Sequence, residues 1–270
     1  MRRTRPPLLL HQSPLVLVLA QVRISPVLQM KTYVPAIQER LRKAGYPRFA
    51  ETQMQEIVLF PGPGGAPEVN TRSKWLFHDR ENKSAVVVSP DFIALETVAY
   101  DTFDTFSAGF VGVLDVVRQV AQVELAERLG LRYVDHIRPL GSDRLDDYLN
   151  AGVVGLGDIQ GAIAAEARFL ATGTSEVGQF VFRLSRSTGR FALPPDLQPQ
   201  DLQPDVSQES GDHAVLDVDH FSVGPREFSP GALIDGLWDL HDVAEGLFRT
   251  ATTPHAMRMW GAEEREGVSE

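Results

Sequence analysis

Cysteine is absent from all 270 residues. Disulfides, zinc–thiolate sites, iron–sulfur clusters and cysteine nucleophiles are therefore excluded. A cysteine-free chain suits a reducing cytosol, and a cytoplasmic location is the expectation. Long apolar runs are also lacking, and no stretch reaches the roughly 20 residues that a membrane-spanning helix needs. The chain has no HExxH, GxSxG, Walker A or GxGxxG pattern. The glycine-rich "FPGPGGAP" has no following lysine and is interrupted by proline, so it reads as a loop and not a phosphate cradle.

Charge of one sign is scarce in part of the chain. Residues 1–50 hold nine basic side chains against the single acid Glu39, a local balance of +8. With a net charge of −10 overall, residues 51–270 carry −18. Such a surface repels nucleic acid and anionic membranes. A basic patch of Arg40, Arg42, Lys43 and Arg48 remains a candidate contact, or a partner for the acidic remainder.

What is present is enough apolar sequence for a real core, 43% hydrophobic by residue. The opening "MRRTRPPLLLHQSPLVLVLAQ" has the outline of an export signal, but Pro6, Pro7, His11, Gln12 and Pro14 break the run. Val16, Val18, Ala20, Val22 and Ile24 alternate with Leu17, Leu19, Gln21 and Arg23. This predicts a strand over 15–25, preceded by a loose leader at 1–11.

Helical spacing follows at Met30, Tyr33, Val34, Ile37 and Leu41, with Thr32 as cap and Gly45 and Pro47 as stops. "ETQMQEIVLF" reads as a strand and "PGPGGAPEVNTRS" as a loop. Successive strands then lead to "DTFDTFSAGFVGVLDVVRQVAQVELAERLG", a long helix capped by Asp101 or Thr102 and ended by Gly130. In the next strand Leu131, Tyr133, Asp135 and Ile137 face one way. Further strands cover Arg168 and Phe180–Leu184, with "SRSTGR" as a hairpin turn. Residues 193–212, rich in proline and acids, form an exposed mobile loop. The last long helix carries Leu233, Leu237, Leu240, Ala244, Leu247 and Phe248, and Thr253–Pro254 starts a short final one.

The fold class expected is α+β, mainly antiparallel sheet with long amphipathic helices, in two similar halves at 12–150 and 151–262 with a tail at 263–270. The similarity rests on "ETVAYDTFDTFSAGFVGVLDVV" set beside "LDVDHFS…FSPGALIDGLWDLHDVA".

"HAVLDVDHFS" concentrates acids and histidines. On a strand, Asp217 and Asp219 share a face about 6–7 Å apart, while His220 turns away and His213 lies roughly 13 Å from Asp217. Two carboxylates on one face call for solvent, an arginine or a hard cation. Arg168 and Arg183, on neighbouring strands, are candidate neutralising partners. Asp217 and Asp219 are thus the candidate ligand or metal residues, with a divalent cation as the one cofactor worth testing. His241 can pair with Glu245 one helical turn on. Phe103, Phe106, Phe110, Trp238, Phe248 and Trp260 read first as core and second as the lining of a ligand pocket.

The segments "SPLVLVLAQVRISPVLQMKTYVPAIQERLRKAGYPRF", "ETVAYDTFDTF", "VLDVDHF" and "LIDGLWDLHDVAEGLFRTATTPHAMRMWG" together resemble a sporadically distributed, uncharacterised bacterial and archaeal family of about this length. The resemblance covers most of residues 13–260. It implies no activity and carries over no catalytic residues. The first expectation is a cytosolic, non-catalytic binding or accessory protein for a protein partner or small ligand. Its sporadic distribution would suit a mobile defence or toxin–antitoxin-like module. The alternative is a metal-assisted hydrolase or transferase using Asp217 and Asp219.

Overall fold

In the computed structural model, described over residues 8–58, 68–154, 166–197, 202–207 and 209–264, strands and helices follow one another along the chain. Leu8–Leu10 (β1) and Leu15–Ile24 (β2) lead to helix Met30–Lys43 (α1). Arg48–Val58 (β3), Glu68–His78 (β4), Ser84–Val88 (β5) and Phe92–Thr97 (β6) precede helix Phe103–Ala121 (α2). Leu125–Ile137 (β7), a 3-10 turn at Leu145–Asp147 and a short helix at Ala151–Val154 (α3) come next. Glu166–Thr174 (β8), Gln179–Gly189 (β9) and Gly211–Glu227 (β10) end in helix Pro230–Ala251 (α4). Pro254–Met259 (α5) and Ala262–Glu264 (β11) close the described chain.

Nine strands form one sheet in the order β3-β4-β5-β6-β2-β7-β10-β9-β8, antiparallel throughout. The fold is α+β. Outward from β2 the order is β6, β5, β4, β3; outward from β7 it is β10, β9, β8. In each set the first strand is innermost and pairs with the last, and the last runs into a long helix. The two segments matched in the sequence, β6–α2 and β10–α4, therefore occupy equivalent places. The sets meet at the β2–β7 ladder, within one continuous sheet.

Alternation decides which side chains turn inward. Val18, Ala20, Val22 and Ile24 of β2 and Leu129 and Leu131 of β7 meet one face of α2 (Phe103, Phe106, Phe110, Leu114, Val117) and of α4 (Leu233, Leu237, Leu240). Each fully buried side chain of this size contributes about 1.5–3 kcal/mol. Helix α1 packs on α2, and α2 on α4, so the helices lie on the same side. Thr102 caps α2 by accepting from the Thr105 amide at 3.2 Å, and Thr253 caps α5 through the Ala256 amide. Thr32 does not cap α1; its hydroxyl donates to the Gln29 carbonyl within the first turn.

Several expected boundaries move. Helix α2 stops at Gln122, in the left-handed region at φ 50°, well before Gly130. "ELAERLG" has helical propensity, but β2 and β10 pair with it from both sides, and Ala126 and Leu129 fill the core. Tertiary pairing overrides local preference there. "SRSTGR" is no hairpin turn, because β9 runs through it to Gly189 opposite Gly211. The turn lies instead between Thr174 and Gln179, where a side chain on Gly178 would collide with the Phe221 backbone. Residues 68–73 belong to β4, paired with β3 over its whole length; residues 59–67 lie outside the described chain.

The leader and the tail are not wholly loose. Leu8–Leu10 pair with Ala262–Glu264, and Leu8 and Leu10 pack beside Trp260 and Phe248. Nor does the proline-rich segment at 193–212 stand off the surface in its described part. Leu193, Leu197 and Val206 lie on the sheet face away from the helices, against Val16, Leu17, Val134 and Val215, and Leu202 is buried. Its leucines and valines pack it there, and Asp196 ties it to Arg132.

Candidate functional site

Strand β10 answers the question its acids and histidines raise. His220 points into the helix side and is 0% exposed. Its Nδ1 meets the Leu240 carbonyl at 2.9 Å and its Nε2 the Ser175 hydroxyl at 2.9 Å, so the ring ties α4 to the sheet. Burial pushes its pKa down. Asp217 and Asp219 share the opposite face, as the alternation predicts. Arg132 of β7 grips Asp217 with two bonds, Nε to Oδ1 and Nη2 to Oδ2, each 2.7 Å. Arg183 adds a third at 3.0 Å. Asp196, carried in by the proline-rich segment, takes the remaining edge of Arg132 at 2.7 and 3.1 Å.

Asp217 is 2% exposed and Arg132 7%. Burial opposes the guanidinium charge, but the two carboxylates hold its pKa above the ordinary arginine value. The Arg132 bonds hold Asp196 below the usual carboxylate range. Asp219 stands apart, with Arg128 3.5 Å away; burial raises its pKa despite that neighbour. Of the two expected arginines, Arg183 reaches Asp217, whereas Arg168 turns to Glu166 at 2.6 Å. Among the described residues, no group of three or more histidines and acids is placed to hold a metal ion.

The basic patch is dispersed among local partners. Arg42 and Lys43 both bind Glu39, Arg40 bonds Gln119 of α2, and Arg48 bonds Asn82. The Arg42 and Lys43 bonds pull Glu39 down to a pKa of about 2.

The helix side of the same strands is different. Between β7, α4 and the β1–β11 pair lies a cleft of about 470 Å³. Its apolar wall includes Leu8, Leu10, Leu15, Val218, Ala244 and Phe248. Its polar wall is a chain of hydrogen-bonded and ion-paired side chains. The Tyr133 hydroxyl meets His241 Nδ1 at 2.8 Å, and His241 Nε2 lies 3.7 Å from Glu245. Glu245 in turn binds Arg249 at 2.8 Å. The Tyr100 and Tyr133 rings meet edge to face, and burial pushes both hydroxyls up in pKa. Phe103 stacks on the His241 ring at 4.0 Å, and Trp238 meets the Phe103 ring edge-on.

Asp135 projects from β7 into this cleft. It is 5% exposed. Its cross-strand neighbours are Leu15 and Leu216, which offer no charge. Among the described residues its carboxyl has neither a hydrogen-bond donor nor a cation. Burial, and secondarily the charge of Asp217 across the sheet, pushes its pKa up from 3.8 to about 8.

Two features of this site are written in the sequence: the Asp135–Tyr133 face and the His241–Glu245 spacing. Phe248, of the aromatics read as core or pocket, does line the cleft. Tyr100 and the wall at Leu8–Leu10 carry no local signal, since only the sheet order brings them to β7. No family model matches this chain, and no curated protein matches it.

Proposed function

We propose that this is a non-catalytic binding protein whose ligand is a small molecule seated in the cleft between β7 and α4. The carrying observation is Asp135, a buried carboxyl that has no partner among the described residues, on the wall of a preformed cleft. Its oxygens face the cleft, where a bound ligand can supply the donor that the surrounding protein does not. The cysteine-free sequence supports placing this activity in the cytosol. The metal-assisted alternative draws no support from the Asp217–Asp219 pair, because the oxygens of Asp217 are already engaged by guanidinium groups.

The test is ligand-observed NMR with matched triples: an amine, an alcohol and a carboxylate on each of three bodies, phenylethyl, cyclohexylethyl and indolylethyl. At least one triple should contain a binder to the wild-type protein. Binding should vanish in Ala244→Phe, which fills the cleft, provided that this variant still melts cooperatively. No binders, or binders indifferent to Ala244→Phe, would overturn the reading.

A further inference from the structure

We propose that Asp135 is the recognition residue of this cleft and that its ligand is a protonated amine on an apolar body. The inference rests on the binding role proposed above and adds the chemical class.

The charges around the cleft exclude the other classes. The ionisable groups lining it are Asp135 and Tyr133 of β7, Tyr100 and Asp101 after β6, His241 and Glu245 of α4, and His11 beside β1. No lysine or arginine lines it among the described residues. Arg249, just behind, is committed to Glu245. A carboxylate or phosphate would enter beside three acids with no fixed cation among the described residues to receive it. A neutral alcohol could accept from Asp135 but would leave the acidic surroundings unanswered. An ammonium answers them, and its N–H donors match a carboxylate that lacks donors.

The aromatic groups favour the same class. Tyr100 and Tyr133 present two edge-to-face rings on the polar wall. A cation over such a ring gains about 0.5–2 kcal/mol, more where water is excluded. Beyond them Leu8, Leu10, Leu15 and Phe248 are placed to take a hydrocarbon or aromatic body.

Binding then moves a proton. The free carboxyl of Asp135 is mostly protonated at pH 7, with a pKa near 8. An ammonium beside it stabilises the carboxylate, so the acid proton leaves to solvent and the amine keeps its own. No bond other than that O–H breaks.

The matched triples test this separately from the binding role. Amines should bind at least tenfold more tightly than the alcohols or carboxylates on the same body. Asp135→Asn should abolish that preference. Calorimetry of the best amine at pH 7 in two buffers of different ionisation enthalpy should show about one proton released per site, and none in Asp135→Asn. If alcohols or carboxylates bind as tightly in a manner sensitive to Ala244→Phe, the amine class is wrong and the binding role stands. If Asp135→Asn keeps the preference, or the wild type releases no proton, Asp135 is not the recognition residue. If nothing binds, both proposals fall. The proton measurement uses the wild type, so it does not depend on how well the variant folds.

Discussion

Asp135 and Asp217 lie on adjacent strands, one residue apart in register, and are almost equally buried. They differ in which face of the sheet they enter. Asp217 enters the face covered by the proline-rich segment and meets three guanidinium bonds from Arg132 and Arg183. Asp135 enters the helix face and meets none among the described residues. The protein itself supplies the opposing charge to Asp217, whereas among the described residues it supplies none to Asp135. Burial alone therefore does not distinguish a structural carboxylate from a recognition residue. The distinction lies in whether the protein supplies the opposing charge itself.

The comparison breaks most sharply at Arg132. Arg132→Leu would leave Asp217 and Asp196 facing each other without their shared cation. A loss of about 3–5 kcal/mol in urea unfolding is expected, as for other buried pairs cut on one side. The double variant Arg132→Leu/Asp217→Leu should recover much of it. A loss below about 1 kcal/mol would mean that Asp217 is no better served than Asp135.

Asp135→Asn should act in the opposite direction. The folded protein holds the Asp135 proton up to about pH 8, whereas an unfolded aspartate releases it near 3.8. The stability associated with the protonated acid is complete below pH 4 and is lost as pH rises through 8. The slope is at most about 1.4 kcal/mol per pH unit. The asparagine variant should match the wild type near pH 4 and exceed it increasingly towards pH 8. Parallel pH profiles for the two proteins would show that Asp135 has a partner after all.

Divalent cations should have the smallest effect. With Asp217 engaged by arginines, Mg²⁺, Mn²⁺ and Ca²⁺ at millimolar concentration should leave the melting temperature unchanged. A rise lost in Asp217→Asn/Asp219→Asn would restore the metal-assisted reading.

Much of this contrast is legible in the residues alone. The alternation in 131–137 puts Tyr133 and Asp135 on one face, and that in 213–222 puts Asp217 and Asp219 together. The sequence does not state the register between these strands. Arg132, not Arg168, became the main partner of Asp217 because β7 and β10 are neighbours at the sheet centre, a fact of topology. The same holds for Leu8–Leu10, too short a run to announce a strand, and for Asp196, hidden in a segment whose composition suggested solvent. The sequence alone does not locate the end of α2, because "AQVELAERLG" fits either a helix or a buried strand, and only pairing on both sides decides between them.

Leu8–Leu10 wall the cleft and are joined to Ala262–Glu264 by a ladder of three rungs. A latch so short opens at a lower free energy than a broad central sheet. On the binding role proposed above, the cleft would fill and empty while the main fold stays shut, and those few rungs would set the lifetime of a complex.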